Sequence, residues 1–151
     1  MSTLYMMVGI PASGKSTFAK TLKGKYISRD VIRFSLIKDG DAYFSKENEV
    51  FAKFIYEIET GLAAGQDVIV DATHINAGSR HKLLSKIYPD RTVAIVMDTT
   101  FETCLERNAK REGRACVPED AMYSMYNNFT IPNYDEGFDA IIIVKGDAYN
   151  E

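Results

Sequence analysis

At 151 residues, 46% apolar and a net charge of −3, the chain is long enough to bury a core of its own and too apolar to be disordered. That charge excludes a general attraction to nucleic acid, although the basic residues are clustered: seven lie from Lys15 to Lys38 against the single acid Asp30, and Arg107, Lys110, Arg111 and Arg114 form a second group. Cys104 and Cys116 form neither a CxxC pair nor a Cys/His metal spacing and read as small hydrophobes. No run approaches the roughly 20 apolar residues of a membrane helix, so a cytoplasmic chain with no membrane partner is expected.

Taken in chain order, strands and helices alternate, the mark of a parallel α/β sheet. Thr3 to Val8 reads as a buried strand that leads straight into a glycine-rich motif, so it is not a signal peptide. A helix over Lys15 to Leu22, a short strand over Lys25 to Ser28 and a helix from Asp30 to about Ile37 follow. Ser45 is placed to cap the next helix, Asn48 to Ala64, whose apolar residues recur at helical spacing until Gly65 ends it. Asp67 to Asp71 is a central strand, Ala77 to Ile87 a helix, Thr92 to Met97 a strand and Thr100 to Lys110 a helix. The polar segment Glu112 to Val117 reads as a mobile loop. Pro118 opens a helix over Glu119 to Asn128, and Ala140 to Val144 is the last strand. Five parallel strands with right-handed crossovers put helices on both faces and ligands at the carboxyl edge, a P-loop NTPase three-layer sandwich forming one domain over residues 1–151.

The strongest motif is Gly9-Ile10-Pro11-Ala12-Ser13-Gly14-Lys15-Ser16, a full G-x-x-x-x-G-K-[ST] match between a strand and a helix. Glycines let successive backbone amides point at phosphate oxygens. Lys15 reaches the β- and γ-phosphates, and the Ser16 hydroxyl takes a place on Mg²⁺. The expected triphosphate contacts are Gly9, Ala12, Ser13, Gly14, Lys15, Ser16 and Thr17.

Asp30 is the candidate proton acceptor for a hydroxyl under phosphorylation; on spacing alone it serves equally well as a helix cap. Arg33, three residues on, shares its helix face and has the fork geometry for an acceptor phosphate, or is an exposed helix arginine. Asp71 ends an apolar strand as a Walker B acid does, and Thr73 follows at the same edge with His74, either a ligand contact or, as a lone histidine more often is, structural. Arg107 and Arg111 are four apart on one helix, with Arg114 in the loop after it. Arginines on a lid over about residues 107–117 neutralise a transferring phosphoryl group and exclude water; the alternative is a solvated basic helix end.

Four blocks in this order, GIPASGKST, SRDVIR, VIVDATHIN and ERNAKREGRACVPEDAMYSMY, resemble the kinase domain of bacteriophage-type polynucleotide 5′-hydroxyl kinase. The resemblance implies ATP and Mg²⁺, with DNA or RNA 5′-hydroxyl ends as substrate in nucleic acid repair. It assigns phosphate and metal binding to Lys15 and Ser16, hydroxyl activation to Asp30, and the phosphate next to the attacked nucleotide to Arg33. Asp71 would organise the acceptor pocket with Thr73 beside it, and Arg111 would stabilise the transferring phosphate with Arg107 nearby on the nucleotide. The chain departs from the family in having a single acid at Asp30-Val31 where two adjacent acids often stand. Two other readings remain: a small-molecule kinase acting on a nucleoside, sugar or antibiotic hydroxyl, and a nucleotide-binding switch without phosphotransfer.

Overall fold

The computed structural model of the protein describes residues 1–149. Five strands, β1 (Thr3–Val8), β2 (Lys25–Ser28), β3 (Val68–Asp71), β4 (Arg91–Asp98) and β5 (Ala140–Lys145), form one sheet in the order β2–β3–β1–β4–β5. Every neighbouring pair is parallel. The helices are α1 (Lys15–Ala19), α2 (Arg29–Leu36), α3 (Glu47–Ala63), α4 (Ala77–Leu84), α5 (Phe101–Ala109) and α6 (Glu119–Asn127).

The two-residue period of a strand divides the core. Leu4, Met6 and Val8 face one way with Val68, Val70, Ala94 and Val96, under Val50, Phe54 and Ile58 of α3 and Leu83 of α4. Met7, Ile69, Val93, Ile95 and Met97 face the other way, onto Phe18 and Ala19 of α1. Covered on both faces, β1, β3 and β4 read as unbroken apolar runs. A third group, Ile10, Cys104 and Met122, packs α5 and α6 against the loop after β1, where Cys104 acts as the small buried hydrophobe its surroundings require.

Several element ends differ from the sequence reading. Helix α1 stops at Ala19 because Thr21 and Leu22 bond carbonyls only three residues back, tightening the chain toward Gly24 at φ +142°. Helix α3 is not capped by Ser45. The Ser45 amide closes a turn onto Ala42, and Lys46 holds the cap position with no side-chain bond. Glu47 and Glu49 in the first turn suit the helix dipole instead. Pro118 is the cap of α6, one place before the first helical residue, and α4 ends at Leu84. Strand β5 is an edge strand whose Ile142 and Ile143 are exposed despite the apolar run. Among the described residues no helix is long and apolar enough to cross a membrane.

Arg80, in α4, is fully buried. Its guanidinium forks onto Glu136 (2.6 and 3.2 Å) and donates to the carbonyls of His74 (2.8 Å) and Thr130 (3.0 Å). It therefore staples the loop after β3 to the segment before β5. Breaking a buried pair leaves the partner charge without compensation. Arg80→Met is expected to lower unfolding free energy by about 3–5 kcal/mol, measured by urea denaturation, and Arg80→Lys, which lacks the fork, to recover only part of it.

Candidate functional site

The register of the sheet assembles the site. Ser28 at the end of β2 pairs with Asp71 at the end of β3, and β3 pairs in turn with β1, which runs into the glycine-rich loop. The segments carrying Asp30, Asp71 and Lys15 thus leave three adjacent strands at one edge. They open onto a cleft of about 770 Å³.

The loop after β1 is built to turn its amides inward. Ala12 has φ +67° and Gly14 φ +99°. A side chain at Gly14 would also meet the Tyr149 carbonyl at 2.6 Å, so only glycine fits there. Two carbonyls of the loop are held from outside: Ala12 by Arg107 (3.3 Å) and Ser13 by the Thr99 hydroxyl (2.7 Å). With those carbonyls turned outward, the amides of the same peptide planes turn to the inside of the loop. Lys15 is buried and its ammonium folds back 2.9 Å from the Ile10 carbonyl. Ser16 donates to Asp71 Oδ2 (2.6 Å), and Tyr26 donates to the same oxygen (2.5 Å). Burial, then the Asp71 charge, push the Tyr26 phenol up and keep it a donor.

These residues fit a Mg²⁺–triphosphate. The loop is a cradle that a larger side chain would fill, and a hydroxyl and a carboxylate adjoin it. Mg²⁺ is held by one or two protein oxygens together with substrate phosphates, which matches Ser16 and Asp71. The structure places Asp71 on Ser16, beside the glycine-rich loop.

At the β2 side of the cleft, Ser28 is the cap of α2, accepting from the Val31 amide (3.2 Å). The cap reading of Asp30 is therefore overturned: Asp30 lies in the first turn with its side chain 62% exposed. Its Oδ1 accepts from the Arg33 guanidinium and from the Tyr43 hydroxyl (2.9 Å). Arg33 is buried, against the reading of an exposed helix arginine. It forks onto Glu47 (2.8 and 2.7 Å), with the Tyr43 ring 4.4 Å from its centre. Burial works against the Arg33 charge, but Glu47, Tyr43 and Asp30 outweigh it and hold the pKa up. Both edges of the fork are committed inside the protein, to Glu47, Asp30 and Tyr43. Arg29, also on α2, lies 5.4 Å from the Phe51 ring and 3.3 Å from Glu47.

The arginines after α5 separate. Arg107 turns to the Ala12 carbonyl of the loop and to that of Gly146 (3.1 Å), buttressing the cradle from behind. Arg111 and Arg114 line the cleft. Arg114 crosses to the end of α2, bonding the Ile37 carbonyl (3.3 Å) with its guanidinium 4.5 Å from the Phe34 ring. Asn108 closes the loop at its base, donating to Val117 O (2.7 Å) and accepting from Val117 N (2.9 Å). A short 3-10 turn, Gly113–Ala115, occupies the segment read as a loop. Thr73 lines the cleft and its carbonyl receives the Gly9 amide (3.0 Å). Sequence reasoning missed Tyr26, Tyr43, Glu47 and Asn108. Only the recurrence of Tyr and Glu near the basic cluster signals any of them.

The model of the AAA domain family matches residues 4–132. Over 142 residues the chain is 30% identical to a protein of Autographa californica nuclear polyhedrosis virus named "Putative bifunctional polynucleotide kinase/RNA ligase", covering 83% of this chain and 20% of that protein. It is 29% identical over 147 residues to a similarly named polynucleotide phosphatase/kinase of Acanthamoeba polyphaga mimivirus, covering 91% and 32%. The chain thus spans a third or less of the length of either. Among solved structures, a sugar kinase from Janibacter sp. HTCC2649 superposes with a TM-score of 0.65 at 18% identity, covering 97% of this chain and 85% of that one. That likeness establishes the P-loop kinase fold, and the fold with its cradle is a nucleotide-binding one.

Glu47 gives a test of this ion-pair cluster. Its hydrogen bonds and charge contact with Arg33 hold its carboxyl below the ordinary 4.5. A carboxylate whose folded pKa is depressed stabilises above its unfolded value, and that contribution is lost as pH falls through the folded value. The stability gap between the parent chain and Glu47→Gln in urea is therefore expected to be widest at pH 7 and to shrink below about pH 4.5. A gap equal at pH 7 and pH 3 would mean that Glu47 stabilises by packing and not by charge.

Proposed function

We propose that this chain, which belongs to the AAA domain family over residues 4–132, transfers the γ-phosphate of ATP to the 5′-hydroxyl of a polynucleotide end. The observation that carries the reading is a single cleft onto which both a phosphate cradle, Lys15 and Ser16, and an anchored carboxylate, Asp30, open. Two further features favour a polynucleotide: an aromatic wall of Tyr43, Phe44 and Phe51, with Phe44 exposed, on which bases stack, and the names of the two viral relatives.

In this mechanism Lys15 exchanges the Ile10 carbonyl for β- and γ-phosphate oxygens, and the inward amides of the loop face the same charge. Ser16 and Asp71 would hold Mg²⁺, which would supply charge neutralisation at those phosphates. The two bonds on Asp30 fall on Oδ1, and Oδ2 accepts the proton of the attacking hydroxyl as its oxygen bonds phosphorus and the bond to ADP breaks. Arg33 acts by holding Asp30. Arg111 neutralises the phosphoryl oxygens from the lid, and the Arg114 crossing shuts out water. Loss of a proton acceptor costs turnover, while ATP binding depends on the cradle.

A small-molecule hydroxyl is the second reading, favoured by the fold shared with a sugar kinase and by the net charge of −3. The deciding measurement is transfer of labelled γ-phosphate to a 5′-hydroxyl oligonucleotide, with a 5′-phosphorylated strand as control, across a salt series. Label confined to the 5′-hydroxyl strand, with a KM that climbs steeply with salt as counterions are released, is expected. Label on neither strand while ATP still binds would turn the assignment to small acceptors. Asp30→Asn is expected to lower kcat about 10²-fold or more with ATP affinity unchanged, and Lys15→Ala to lower both.

A further inference from the structure

Three buried side-chain atoms make no hydrogen bond among the described residues: Ser13 Oγ, Arg29 Nε and His74 Nε2. Ser13 belongs to the phosphate cradle. Arg29 and His74 both line the acceptor part of the cleft and both lie against Phe54, the guanidinium at 5.9 Å and the imidazole stacked at 6.5 Å.

His74 is an unusual residue to leave there. It is 5% exposed and sits at φ +44°, a left-handed conformation uncommon for a non-glycine residue. Arg80 pins its carbonyl at 2.8 Å. Its Nδ1 lies 2.7 Å from the Met7 carbonyl. A carbonyl only accepts, so Nδ1 carries the proton and Nε2 the lone pair. Burial pushes the pKa down to about 4 against the Met7 carbonyl, so the ring is neutral near pH 7. A buried acceptor with no donor is unfavourable, and this one is held by left-handed backbone beside the cleft. Arg29 Nε–H is a second unused polar atom of the same cleft, a donor. A hydroxyl is a group that can donate to His74 Nε2.

We infer that His74 Nε2 accepts a hydrogen bond from the 2′-hydroxyl of the 5′-terminal nucleotide, which makes the chain selective for RNA ends; this rests on the polynucleotide reading above. In a polynucleotide the 3′ oxygen is esterified and the 5′-hydroxyl proton goes to Asp30. Base N–H groups vary with sequence. The 2′-hydroxyl is the one remaining donor present on every RNA end, and DNA lacks it.

The test uses the full chain with ATP, Mg²⁺ and two 5′-hydroxyl RNA oligonucleotides that differ only by a 2′-deoxy sugar at the 5′ nucleotide. The parent enzyme is expected to show about tenfold lower kcat/KM on the deoxy end, the scale of one hydrogen bond. His74→Asn tolerates the left-handed backbone and keeps a donor at the Nδ1 position, but does not reach the ligand. It is expected to lose about tenfold on the ribose end and nothing further on the deoxy end, with KM for ATP unchanged. His74→Gln, whose amide extends to the Nε2 position, is expected to restore part of the discrimination. Equal rates on the two ends by the parent enzyme, or ribose preference retained by His74→Asn, would overturn the inference alone. Transfer to neither end would overturn the polynucleotide reading and the inference with it.

Discussion

One carboxylate oxygen joins the working parts of this molecule. Asp71 Oδ2 receives hydrogen bonds from Ser16, beyond β1, and from Tyr26, within β2, while Asp71 itself ends β3. Three neighbouring strands therefore meet at a buried anion that needs donors to be tolerated at all. A parallel sheet places the carboxyl ends of its strands along one edge, and a shift of one residue in register would turn Asp71 to the opposite face. Because Ser28 is in register with Asp71 and also caps α2, the same register brings Asp30 to the cleft two residues later.

Two buried cations brace the segments that surround the cleft. Arg33 and Arg80 are almost wholly withdrawn from water, and each is offset by a forked carboxylate, Glu47 and Glu136. Burying ions is costly unless the geometry is good and every donor is used. Arg80 meets that demand with bonds to one carboxylate, one hydroxyl and two carbonyls. Arg80 thereby holds the loop after β3, and Arg33 holds Asp30. Arg107 likewise holds the carbonyl side of the glycine-rich loop.

Element types and most strand bounds were legible in the sequence because they follow from local patterns. Thr3–Val8 and Lys25–Ser28 have the limits expected from the sequence. Helix ends were less legible. Ser45 has the chemistry of a cap, yet its amide is committed to the preceding turn, and a propensity does not reveal such a commitment. Asp30 and Ser28 are both good caps, and only the backbone geometry chose between them. The apolar run in β5 implied burial, but its place at the sheet edge left Ile142 and Ile143 exposed.

By itself the sequence determined the parallel α/β class, the glycine-rich cradle with Lys15 and Ser16, and the presence of Asp30, Asp71 and the arginines near phosphate chemistry. These are local facts, carried by spacing within a few residues. Only the tertiary structure decided that Asp71 pairs with Ser16 and Tyr26, that Arg33 is sealed by Glu47, that Arg107 grips the loop while Arg111 lines the cleft, and that His74 carries an unused acceptor. Each of those depends on a side chain meeting another element, often tens of residues away. Periodicity records which face of an element is buried, and it is silent on which polar group waits opposite.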